Sequence, residues 1–73
     1  MNNTNQLKEA LADERAEAML VLCKMINHFM NATSADRETI DKIANLELQI
    51  NDLARQMQKL MFDEIDEVNS ERN

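Results

Sequence analysis

Not one of the 73 residues is glycine or proline. Those two residues punctuate most turns, so a chain without them has few places to reverse. Leu, Met, Ala, Glu, Gln and Lys dominate, and all of them favour the helix. Valine and threonine are scarce, and Phe29 and Phe62 are the only aromatics. Strands need those residue types, so a β fold does not fit this composition. The length allows one small domain. The expected class is therefore all-α, built from a few long helices.

One place is suited to a reversal. Asn31-Ala-Thr-Ser-Ala-Asp36 is the only cluster of small and polar residues inside the chain. The pattern predicts a first helix over about 5–31, a turn at 32–35 and a second helix over about 35–68. The polar ends, about 1–4 and 69–73, are expected to fray. Thr4 or Asn5 can cap the first helix, and Lys24 and His28 sit towards its C-terminal end, where positive charge suits the dipole. For the second, Thr33 with Asp36 three residues on makes an approximate capping box, and Ser34 is an equally good cap. Asp36, Glu38 and Asp41 then place negative charge on its first turns, as the dipole favours. So short a connection makes the two helices antiparallel neighbours.

The apolar residues say how such a hairpin is covered. On the second helix Ile43, Leu46, Ile50, Leu53, Met57 and Leu60 alternate spacings of three and four, a seam of period 3.5. Glu64 and Glu67 break it, and the apolar line steps over to Met61, Ile65 and Val68. On the first helix Leu7, Leu11, Ala18, Val21, Leu22, Met25 and Phe29 share one sector at about 100° per residue. That sector is expected to pack inside the hairpin, on the seam. The stretch Met19–Met30, MLVLCKMINHFM, has only Lys24, Asn27 and His28 as strongly polar residues. It is apolar round most of its circumference, where a surface helix carries one stripe. Met19, Cys23, Ile26 and Met30 form a second cluster, roughly 100° or more from the first.

A single hairpin would leave that second cluster in water, forgoing about 1.5 to 3 kcal/mol for each large side chain. An isolated two-helix hairpin also buries too little to offset an ordering cost of about 1.5 kcal/mol per residue. The expected architecture is two hairpins paired as a dimeric four-helix bundle, with Met19, Cys23, Ile26 and Met30 as the self-association face. Twofold symmetry is the commonest arrangement for such a pair. A helix of another protein is the competing occupant.

The net charge is −6. The first 33 residues hold three bases and four acids, and residues 34–73 hold five bases and ten acids. Phosphate backbones need clustered Lys and Arg, so direct nucleic-acid binding is not expected. The charge favours a partner with a basic protein surface. The 12-residue apolar run falls short of the roughly 20 that a membrane span needs. The N-terminal MNNTNQ has no basic segment of the signal-peptide kind, so a cytoplasmic location is expected. Cys23, the only cysteine, reads as a buried small hydrophobe in a reducing compartment. His28 stands five positions from it, off the same helix face. No second Cys or His completes a zinc set, so no metal or cofactor is expected.

The segment Leu60–Val68 offers a second surface. Met61, Phe62 and Ile65 lie among Asp63, Asp66 and Glu67, apolar anchors inside an acidic rim. Negative charge at a helix C-terminus opposes the dipole. Such a segment is expected to dock on a basic, grooved protein surface.

Two acid pairs point elsewhere. Glu14-Arg-Ala-Glu17 and Glu38-Thr-Ile-Asp41 are similar to the ExxE…ExxD pattern of the all-α nucleotide pyrophosphohydrolases of the MazG type. The resemblance implies magnesium held by these carboxylates on facing helices, and hydrolysis of a nucleoside triphosphate. Magnesium is a hard cation that takes oxygen ligands. In a hairpin turning near Ser34, Glu17 falls opposite about Asn51, so only a second subunit could bring the pairs together. The leading expectation is accordingly a small acidic interaction module (an adaptor, chaperone or inhibitor) and not an enzyme. A MazG-like hydrolase is one alternative, and an acidic mimic that blocks a DNA-binding protein is the other.

Overall fold

The computed structural model describes residues 3–71. Helix α1 spans Asn3–Ala32 and helix α2 spans Arg37–Glu71, with no strand among the described residues. The fold is an all-α antiparallel hairpin. Residues 1, 2, 72 and 73, where fraying was expected, lie outside the described residues. The remaining end residues that were expected to fray, 3–4 and 69–71, are helical.

The turn is built differently from the expected capping box. Asp36, not Thr33 or Ser34, caps α2: the Thr39 backbone N–H donates to Asp36 Oδ1 at 2.8 Å, and the Ile40 N–H donates to the Asp36 carbonyl at 3.1 Å. Thr33 serves the other helix, its hydroxyl donating to the Phe29 carbonyl at 2.8 Å. The carbonyls that end α1 and the amides that begin α2 both lack intrahelical partners. One side chain goes to each, which places the connection at residues 33–36.

The hydrogen bonds from Thr39, its backbone N–H first, hold the Asp36 carboxyl below the usual carboxylate range. A lowered folded pKa means the stabilisation is complete above the unfolded value, about 3.9 for Asp, and is lost as pH falls through the folded value. Asp36→Ala should lower the thermal midpoint at neutral pH by on the order of a few degrees. The two proteins should melt alike in strong acid. Equal midpoints at neutral pH would remove the cap from the account.

Along α2 the exposed surface carries pairs one turn apart: Arg37–Asp41 at 3.4 Å, Glu38–Lys42 at 3.3 Å and Lys59–Asp63 at 3.1 Å. Each contributes a few tenths of a kcal/mol to helicity. The hairpin is one helix thick, with extents of 58 × 17 × 8 Å and a radius of gyration of 17.1 Å. A compact chain of this length would have a radius near 11 Å. Stable domains bury their apolar surface between at least two layers. With a single layer, no described residue is buried.

Candidate functional site

The two helices meet along a seam that mixes apolar and polar residues. Lys8 Nζ binds Asp66 Oδ1 at 2.6 Å, Arg15 Nε donates to Gln58 Oε1 at 2.7 Å, and the Cys23 thiol donates to Glu47 Oε2 at 3.2 Å. These contacts fix the antiparallel register. Between them Leu11, Met19, Leu22 and Ile26 of α1 and Ile43, Ala54, Phe62 and Ile65 of α2 are half-buried. The seam thus uses Lys8, Arg15, Glu47, Asn51 and Gln58 at positions where the expected packing had leucine and methionine.

The consequence is a rotation of both helices relative to the sequence expectation. Leu7, Val21, Met25 and Phe29 of α1 are exposed, and so are Leu46, Ile50, Leu53, Met57 and Leu60 of α2. The two sectors stand side by side on one face of the layer instead of facing each other. Shallow depressions run down that face. One near the loop, of about 240 Å³, is lined by Leu22, Met25, Ile43, Leu46 and Ile50, with Glu47 at its edge. One at mid-length, of about 290 Å³, is lined by Leu11, Ala18, Ala54, Met57 and Met61. One at the open end, of about 310 Å³, takes Leu7, Ile65 and Val68, with Glu64 at its edge. The physical reason lies in the seam: Lys8, Arg15 and Gln58 find polar partners across it, so the polar residues of each helix are satisfied while the apolar sectors stay together.

The area states the same thing as a quantity. A compact monomer of this mass exposes about 4,700 Å². The hairpin exposes 6132 Å². The excess, roughly 1,400 Å², is what one subunit of an obligate dimer gives up to its partner.

The residues expected to form a self-association face are divided. Met19 and Ile26 are half-buried against α2, whereas Cys23 and Met30 are exposed on the flank opposite the apolar face. Cys23 is therefore not the buried hydrophobe that its neighbours suggested. Its hydrogen bond to the Glu47 carboxylate, and then the nearby negative charge, push the thiol pKa up. A thiol held protonated is a poor nucleophile.

The segment expected to dock a partner is divided as well. Met61 lies on the apolar face and Ile65 in the open-end depression. Phe62 lies under Lys8, whose Nζ stands 5.4 Å from the ring centroid, and Asp66 holds that same ammonium. Lys8 thus organises the open end, a role that nothing in its sequence neighbourhood announced. Asp63 pairs with Lys59, and Glu67 is exposed.

The acid pairs of the MazG-like pattern are not brought together within one chain. Arg15 meets Gln58 and Cys23 meets Glu47, so Glu17 lies at a level between those two partners. Glu38 is about 25 Å away along the axis at 1.5 Å per residue. Glu38 and Asp41 are paired with Lys42 and Arg37. Among the described residues no three His, Cys, Asp or Glu side chains are grouped to hold a metal ion. No described helix is long and apolar enough to cross a membrane.

No protein-family model, no curated protein and no solved structure matches this chain.

Proposed function

We propose that the chain is a self-associating protein-interaction module that acts by binding. Two hairpins pair through the face of Met25, Leu46, Ile50, Leu53 and Met57, and the completed bundle presents an acidic outer surface to a protein with a basic one. The observation that carries this reading is the apolar face itself, which runs the length of both helices and is covered by nothing in the hairpin. Leaving it in water would forgo about 1.5 to 3 kcal/mol for each large side chain. The distribution of acids supports a binding role over catalysis, because the carboxylates that could have served a magnesium site are spread along the layer, with Glu38 and Asp41 engaged by neighbouring bases.

Sedimentation equilibrium over a concentration series tests the reading. The expected mass is twice that of the chain at micromolar concentration, with helicity falling as dilution dissociates the pair. A fully helical monomer across the whole range would sink it.

A further inference from the structure

Resting on that reading, we infer that the second copy lies with its loop at the opposite end of the bundle, so that α2 packs on α2 of the other chain and α1 on α1. Two single layers stacked face to face by a twofold axis have two arrangements. An axis along the helices puts the loops together, and an axis across them puts the loops apart. Both make every neighbouring helix pair antiparallel, so the preference comes from what each arrangement sets in contact.

Charge distinguishes them first. The open half of the hairpin, residues 3–17 and 55–71, holds four bases and nine acids; the loop half, residues 18–54, holds three bases and five acids. Loops together would lay one open half on the other. The edge acids Glu14 and Glu64, which border the mid-length and open-end depressions, would then share a desolvated strip with their own copies. Like charges so placed oppose association. Loops apart lays each open half, with a net charge of 4 − 9 = −5, on a loop half with 3 − 5 = −2. Glu47 of that half also borders the depression near the loop, with its carboxylate bonded to the Cys23 thiol.

The seam points the same way. Ile43, Leu46, Ile50, Leu53, Met57 and Leu60 are spaced symmetrically about a point between Asn51 and Asp52. An antiparallel copy of α2 centred there sets Ile50 against Leu53, Leu46 against Met57 and Ile43 against Leu60. Ala18, at the middle of α1, lets the two first helices approach closely at the axis. With the loops together, α2 would instead face α1 of the other chain, and the seam would lose this match to its own copy. The area agrees with this occupant: the excess of roughly 1,400 Å² per chain lies within the range of an obligate homodimer.

The test measures the separation of the two loops in the dimer. In a Cys23→Ser background, Ser34→Cys carries a nitroxide in the full chain, and double electron–electron resonance reads the distance between labels. Loops apart predicts a separation on the order of 50 Å, set by the 58 Å length of the hairpin. Loops together predicts about 25 Å or less, two helix diameters. A second label at Asn31→Cys repeats the measurement from α1 and keeps it independent of one linker. A short distance at both sites overturns the arrangement and leaves the dimer standing. A labelled protein with no intermolecular coupling that also sediments as a monomer overturns the dimer, and the arrangement with it.

Discussion

Leu53→Glu is expected to dissociate the protein. Leu53 is 57% exposed in the hairpin and occupies the centre of the α2 seam. Each dimer contains two copies, so the substitution withdraws two buried leucines and introduces two carboxylates near the twofold axis. At about 1.5 to 3 kcal/mol for each side chain, the loss is about 3 to 6 kcal/mol before any charge repulsion. That corresponds to a dissociation constant raised roughly a hundred- to ten-thousand-fold. Leu48→Glu is the control. Leu48 is 68% exposed and lies on the same helix, but on the opposite side from the seam, where a carboxylate meets water in any assembly. Sedimentation equilibrium on the three proteins should show the wild type and Leu48→Glu as dimers and Leu53→Glu as a monomer. An associated Leu53→Glu would reject this face as the interface.

The contrast between those two leucines shows what the sequence can tell. The seam containing Leu53 was legible from its alternating spacing, and Leu48 falls outside that spacing. The two helices followed from the missing glycine and proline and from the single break near Thr33. What the spacing does not contain is the direction in which each seam points. Both helices carry apolar sectors wide enough to face either a sister helix or a second layer. The choice rests on contacts distant in sequence, such as Arg15 with Gln58 and Lys8 with Asp66. A polar residue beside an apolar sector reads as a solvated flank until its partner on the other helix is known. The same limit affected the turn. Asp36 stands where a capping box wants its third residue, and it becomes the cap because Thr33 is occupied by the end of α1. Cys23 was misplaced because an apolar neighbourhood in sequence is not an apolar neighbourhood in space when the helix has only one contacting side.

Ile26 provides the sharpest contrast between the two placements. On the sequence pattern it belongs to the self-association face, so Ile26→Glu should yield an intact hairpin that no longer pairs. In the structure Ile26 is half-buried at the loop end of the inner seam, where it shares depressions with Leu22, Met30, Ile40 and Ile43. Glu47 lines the same space, so a carboxylate at position 26 would meet one already there. Losing the apolar contact and adding the like charge should cost about 2 to 3 kcal/mol at the loop end, a change of roughly a hundredfold in the opening equilibrium. The expected result is local: amide exchange should accelerate in the last turns of α1 and the first turns of α2, while the open end keeps the Lys8–Asp66 contact and its protection. In Leu53→Glu the increase should instead run along the whole α2 seam, because the second layer is lost everywhere at once. A monomeric Ile26→Glu with loop-end protection equal to that of monomeric Leu53→Glu would mean that Ile26 does not close the hairpin. The face of Met19, Cys23, Ile26 and Met30 would then be the surface through which the chain pairs.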